Sequence, residues 1–181
     1  MAHTMIDLEK TYDNRFFSRR SQYHWRAPIV CMVINYIFRR VPLKSVVDVG
    51  AATGDLVKGF ADLGLSAWGI EGSAKCLPYV VCDTARFFIH DLRQSVASLT
   101  AIPYPLDLVT CWEVAEHIDP EFADVFVDNL CLLAPRILMS ACPPQTTTRK
   151  SGSVGHVNER PYEYWVEKFA ARGVEGAGEP A

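Results

Sequence analysis

Several short runs of this 181-residue chain place reactive or backbone-permissive residues just past stretches that read as β-strands. In VVDVGAATGDL, Asp48, Gly50, Ala51, Ala52 and Gly54 stand between a β-branched run and a stretch with helical spacing. Glycine at 50 allows torsions closed to other residues, and Ala52 and Gly54 keep the turn small enough for a ligand to approach the main chain. This is a seat for a nucleotide-type ligand. A pyrophosphate-binding fingerprint would need glycine at 50, 52 and 55, where Ala52 and Asp55 now fill the last two places. Asp55 would also set a negative charge against a diphosphate at the helix N-terminus, which disfavours NAD and FAD. No Gly-Lys-Ser/Thr follows, so a phosphate-binding P-loop is excluded. Glu71, 23 residues past Asp48, has the spacing expected of a ribose-binding acid, and a carboxylate can accept two hydrogen bonds from a vicinal diol.

The run CWEVAEHIDP supplies Glu113, Glu116 and His117. Read as a helix, Glu113 and Glu116 share a face, and His117 adds an imidazole that suits Mg²⁺ or a transition ion. Three readings stay open: a structural turn, a general base, or a divalent-metal site with His156 as a further ligand. His117 and His156 are the first choices for a base because imidazole titrates near neutral pH.

The elements that must position these residues alternate from residue 46 onward. Strands are expected over 46–49, 67–70, 86–90, 106–111 and 136–141, with a helix over 55–63 stopped by Gly64. Asp119 reads as an N-cap before Pro120, opening a helix with Phe122, Val125, Phe126, Leu130 and Leu133 on one stripe. Residues 24–40 read as one helix, with Pro28 in its first turn and Arg39 and Arg40 at its end. Pro161 opens a last helix that faces Tyr162, Trp165, Val166 and Phe169 inward. Residues 143–160 lack periodicity and are longer than a compact fold usually tolerates, which reads as a lid. Alternating strands and helices predict an α/β, doubly wound, mostly parallel sheet, with ligands beyond the carboxyl ends of its strands.

Composition agrees with one ordinary globular unit: 49% of residues are hydrophobic and 22% charged. Six cysteines lie mostly in apolar runs without zinc spacing and read as reduced core thiols, which favours a cytoplasmic protein. The longest apolar stretch, 27–38, is far short of the ~20 residues needed to cross a bilayer, so no membrane partner is expected. Net charge is −3, but residues 1–44 carry 8 basic against 3 acidic side chains, while residues 45–181 carry 10 against 18. The basic arm (Arg15, Arg19, Arg20, Arg26, Arg39, Arg40) could draw an anionic or nucleic-acid acceptor, though a solvated face explains most such counts.

With these motifs in order, the chain resembles the class I S-adenosylmethionine-dependent methyltransferases, as a small bacterial or phage-type member. Their first motif, roughly D/E-x-G-x-G-x-G, is met by Asp48, Gly50, Ala52 and Gly54, with alanine in place of one glycine. The resemblance implies S-adenosylmethionine as cofactor and strand order 3-2-1-4-5. It gives Glu71 the ribose hydroxyls, Asp91 in FFIHDL the adenine amine, and Glu113 the border of the methionine moiety. Glu116, His117 and His156 would be the catalytic candidates; a divalent metal, known from relatives acting on catechol-type quinone precursors or on the 3′-terminal ribose of small RNAs, is an open addition. GHVN around His156 and Asn158 resembles a run before the last helix in small bacterial and phage members, where the loop closes over the acceptor. The implied reaction is methyl transfer to an oxygen or nitrogen of a small-molecule acceptor. The alternatives are a nucleic-acid methyltransferase or a truncated, non-catalytic cofactor-binding module. The family's last two strands have no counterpart here, so we expect an arm (1–45), a cofactor-binding domain (46–173) and a flexible tail (174–181). The exposed edge at 136–141 should be covered by the loop, the arm or a homodimer partner.

Overall fold

A computed structural model describes residues 5–144 and 155–176. Five parallel strands, β1 (Ser45–Val49), β2 (Ser66–Glu71), β3 (Phe87–Ile89), β4 (Leu108–Trp112) and β5 (Ile137–Ser140), form one sheet in the order β3-β2-β1-β4-β5. This is the expected doubly wound, Rossmann-like arrangement. β1 lies at the centre, with Asp48 in register with Gly69 on one side and Thr110 on the other. The order reverses beside β1, where a crevice opens beyond the strand ends.

Alternation along the strands sends side chains to opposite faces, so both faces carry a core. On one, Val47, Val49 and Val109 pack against Phe126 and Leu130 of the helix Ala123–Leu133 and Trp165 of the helix Tyr162–Ala170. On the other, Val46, Ala67 and Leu108 meet Val57 and Phe60 of the helix Asp55–Asp62, together with Cys31, Ile34 and Phe17 from the amino-terminal region. Phe126 is fully buried, and its truncation to alanine should cost about 3–5 kcal/mol.

In chain order the helices are α1 (Leu8–Thr11), α2 (Asn14–Arg20), α3 (Ala27–Ile37), α4 (Asp55–Asp62), α5 (Ala123–Leu133) and α6 (Tyr162–Ala170). The single helix expected over 24–40 is instead a 3-10 segment, Ser21–Arg26, followed by α3. Pro28 does sit in the first turn of α3, but Arg39 and Arg40 fall beyond its end. Asp119 does not cap with its side chain; a 3-10 turn, Pro120–Phe122, comes first and the Asp119 carboxylate lies against Arg93. Tyr162 points outward, being 61% exposed, because it sits at the start of α6 ahead of the buried Trp165.

Cys31, Cys76 and Cys111 are buried, and Cys82, Cys131 and Cys142 half-buried. Burial pushes the Cys31 and Cys76 thiols up to about 12, so both stay protonated and inert. No helix among the described residues is long and apolar enough to cross a membrane. Much of the expected lid, and the tail after Gly176, lie outside the described residues. The arm does not run along β5, which pairs with β4 alone among the described strands; it packs on the α4 face and over the strand ends.

Candidate active site

The turn between β1 and α4 is held by two amides, those of Gly50 and Ala51, which both donate to the Ile70 carbonyl. Gly50 and Gly54 each have φ +75°, and a Cβ on Gly50 would meet the Val114 side chain at 2.3 Å. Ala52 also adopts a positive φ, 49°. That torsion suits glycine better than alanine, by roughly 1 kcal/mol or more. The only other non-glycine positive φ among the described residues is Glu113, at 55°. Among the described residues, non-glycine left-handed backbone thus occurs only past the ends of β1 and β4, at two positions that both line the cavity.

Glu71 ends β2 and is buried. The Ala52 amide donates to its Oε2 at 2.9 Å and the Ser73 amide to its Oε1 at 3.1 Å. Each oxygen keeps a further lone pair. Burial raises this carboxyl above its ordinary value, while the amide donors pull it back. Asp48 is buried behind the turn, accepts a hydrogen bond from the Thr110 hydroxyl at 2.7 Å, and is pushed by burial up to about 7.

Between these elements lies a cavity of about 400 Å³, within the usual size of cofactor sites, about 300–1,000 Å³. Gly50, Ala52, Glu71, Asp91, Glu113 and His117 line it; Asp48, Ala51, Gly54, Glu116 and His156 are not among its lining residues. The Asp91 carboxylate is gripped by Arg93, with Nε and Nη2 at 2.7–3.0 Å. Burial works against it, but these bonds hold Asp91 below the usual carboxylate range. Arg93 also donates to the Ile6 carbonyl and approaches Asp119, tying the arm to the sheet.

The arm contributes Leu8, Tyr12, Phe16 and Arg20 to the cavity wall. Sequence reading missed Leu8, Tyr12 and Phe16 in this role and saw Arg20 only as part of a basic run. The Ser73 hydroxyl donates to the Tyr12 carbonyl at 3.0 Å, and the Ala74 amide donates to Glu9 at 2.8 Å, docking α1 onto the segment after Glu71. These contacts are long-range, and only helix caps at Asp7 and Asp13 signal them locally. Trp112 also belongs to the wall; its Nε1 and the Tyr12 hydroxyl are buried without a hydrogen-bond partner among the described residues.

Glu113 and Glu116 do not share a helical face. The left-handed torsion at Glu113 breaks the chain, and only a 3-10 turn, Ala115–His117, follows. Glu113 lines the cavity and accepts from the Ser140 hydroxyl at 2.5 Å. Glu116 turns inward and is fully buried, with neither carboxylate oxygen hydrogen-bonded among the described residues. Burial, with the charge of Glu113 adding to it, pushes Glu116 up to about 7.

His117 and His156 stack edge to face at 4.6 Å. The His117 Nδ1 lies 3.0 Å from the Gly155 carbonyl, an acceptor only, so Nδ1 carries the proton and Nε2 of the neutral ring is left basic. His156 is oriented alike by Glu159, 2.7 Å from its Nδ1. Burial lowers the His117 pKa, favouring the neutral ring. The Val157 and Asn158 amides both donate to the Glu116 carbonyl, at 2.9 and 3.0 Å, which pins the GHVN segment against the turn. Asn158 itself is buried, with its Oδ1 accepting from Arg160. Ligand atoms of Glu116, His117 and His156 lie within 4.8 Å of one another.

Residues 23–136 match the family model of a methyltransferase domain. Among curated proteins the chain is similar to ubiquinone biosynthesis O-methyltransferases: 32% identical over 124 residues to that of Pseudomonas paraeruginosa, and 28% over 127 residues to that of Thiobacillus denitrificans. The matches cover 65% and 67% of this chain, which spans about half the length of these relatives, 53% and 54%. Among solved structures, magnesium protoporphyrin IX methyltransferase from Synechocystis, with SAH bound, shares the fold at TM-score 0.59 and 18% identity, over 96% of this chain and 80% of that one. The methyltransferase domain of a bacterial Hen1 does so at TM-score 0.58 and 18% identity, over 78% and 82%. The chain thus belongs to the methyltransferase-domain family, with the class I S-adenosylmethionine-dependent fold.

Proposed function

We propose that this chain binds S-adenosylmethionine in the cavity between β1, β2 and β4 and transfers its methyl group to an oxygen or nitrogen of a small-molecule acceptor. One observation carries this reading: a single cavity wall runs from Glu71, over Gly50 and Ala52, to Glu113 and His117. The donor set suits the cofactor. Glu71 keeps lone pairs for a ribose diol, Asp91 and Leu92 flank the place for adenine, and Arg20 is a cation of the wall with no ion pair among the described residues, suited to the methionine carboxylate. The acidic side chains favour a cationic sulfonium.

When bound, the sulfonium supplies an already activated methyl group, so the protein's part is positioning and exclusion of water. Tyr12 and Phe16 close the cavity from the arm. Nε2 of His117 is the base for an acceptor hydroxyl, with Gly155 holding the ring in the required tautomer. His156 and Glu116 stand behind it, fixing the ring and balancing its charge once protonated. The named activity of the curated relatives supports an oxygen acceptor.

A second reading adds a divalent metal. A fully buried carboxylate without hydrogen-bond donors, beside two imidazoles whose Nδ1 groups are already used, has the donor set of a cation site. Glu116, His117 and His156 would hold the ion after a small inward shift, since ligands at about 2.1 Å from one centre lie no more than about 4.2 Å apart. Such an ion would supply Lewis-acid activation of an acceptor oxygen.

The test is mass-spectrometric detection of S-adenosylhomocysteine from pooled phenolic, amine and oligonucleotide acceptors, with and without added Mg²⁺, Mn²⁺ or Zn²⁺. Turnover on phenols or amines is expected. Donor binding without turnover on any acceptor would leave a non-catalytic binding module; turnover on oligonucleotides alone would leave the nucleic-acid reading.

A further inference from the structure

α3 is apolar on two sides. Its inner stripe, Ala27, Cys31 and Ile34, is buried against α4 and the sheet. Its outer stripe, Ile29, Met32, Val33 and Tyr36, repeats the i, i+3, i+4, i+7 spacing of a buried face, and Trp25 extends it by one turn. Yet Trp25 and Tyr36 are 64% exposed, Met32 58% and Ile29 57%. An apolar stripe this regular, about 16 Å long for an 11-residue helix, is unusual on a face left in water.

The charge along its own stretch of chain has one sign. Residues 14–44 carry seven basic side chains, Arg15, Arg19, Arg20, Arg26, Arg39, Arg40 and Lys44, and no acidic one, whereas the remainder of the chain sums to −10. All seven are exposed. Arg26 lies over the rings of Tyr23 and Trp25 at 4.6 and 5.1 Å, and Arg39 over that of Tyr36 at 4.2 Å. The aromatic rings thus carry their cations at the margin of the stripe, an arrangement suited to a boundary between hydrocarbon and charged headgroups.

We propose that the outer face of α3 lies on an anionic lipid bilayer, with Ile29, Met32, Val33 and Ile37 in the acyl boundary and Arg26, Arg39 and Arg40 among the headgroups. Lying on a membrane is physically distinct from crossing it, so the shortness of the 27–38 run, which led to the expectation of no membrane partner, does not oppose this. Two copies meeting through this face would bring like charges together. A nucleic acid would match the charge and leave the aliphatic stripe in water. The anionic bilayer satisfies both the charge and the stripe.

The experiment is cosedimentation of the chain with vesicles of phosphatidylcholine alone or with about one third phosphatidylglycerol. Binding to the anionic vesicles at low salt is expected, weakening as salt is raised. M32E/V33E should lower partitioning at least about tenfold, and R39Q/R40Q should weaken it on anionic vesicles. All four residues are exposed, so circular dichroism and donor affinity should stay those of the wild type. Absence of binding to anionic vesicles at low salt would overturn the proposal, and so would unchanged partitioning of both variants. A lipid-free dimer that M32E/V33E dissociates, or retention on polynucleotide with no affinity for vesicles, would replace it with another occupant.

Discussion

Replacing Glu71 with glutamine changes one charge at a buried position of the cavity wall while preserving size. Both carboxylate oxygens already accept a backbone amide, from Ala52 and Ser73, and their remaining lone pairs are the proposed acceptors for the two ribose hydroxyls. A hydrogen bond to a charged acceptor contributes about 1.5–3 kcal/mol, and glutamine keeps one neutral oxygen and presents an NH₂ group at the other. Loss of one such bond predicts donor affinity lower by about 10- to 150-fold. Stability should move less. One amide loses its acceptor, at a cost of about 1–3 kcal/mol, but the burial that raises the Glu71 carboxyl is relieved. Calorimetric titration with S-adenosylhomocysteine, beside thermal unfolding of the same samples, separates the two effects. Wild-type affinity in a folded E71Q variant would refute the ribose-binding role.

Three further outcomes follow from particular side chains. His117→Ala should reduce turnover on a hydroxyl acceptor at least about 100-fold with donor affinity nearly unchanged; equal turnover would remove the base role. Asp48 has its carboxyl raised in the fold to about 7 from 3.8, so its contribution to stability is fully present below about pH 4 and is lost as pH rises through 7. Asp48→Asn keeps an acceptor for Thr110 and should therefore stabilise the fold near pH 8, by at most about 4 kcal/mol, with no gain near pH 4, as read from urea unfolding at the two pH values; a gain independent of pH would contradict this. Ala52→Gly relieves the left-handed torsion at φ 49° but adds chain entropy to the unfolded state, so stability should change by less than about 1 kcal/mol, as read from urea midpoints.

Every strand could be read from the sequence, because parallel strands covered on both faces write themselves as short apolar runs such as VVDV and LVTCW, whereas their order came from the family resemblance. Strand ends moved by one or two residues, since hydrogen bonding to a neighbour decides them. The glycine turn and Glu71 were equally accessible, as both depend on local torsion and on position after a strand. What local patterns cannot carry is a torsion imposed by tertiary contacts. Helical spacing put Glu113 and Glu116 on one helix, but the left-handed step at Glu113 replaces that helix by a 3-10 turn, and it is this turn that brings Glu116 to the histidines while Glu113 accepts from Ser140. The same limit hid Tyr12 and Phe16, which reach the cavity only because α1 docks on residues more than 60 positions away. The outer stripe of α3 was visible as hydrophobicity, but its exposure is a property of packing.

Isothermal titration of the purified chain with S-adenosylhomocysteine bears most directly on the cofactor seat. A saturable 1:1 isotherm in the micromolar range, about −8 kcal/mol, is predicted, and it should weaken in E71Q. A flat titration at millimolar ligand, from protein shown to be folded, would contradict the assignment of this cavity to the adenosyl cofactor.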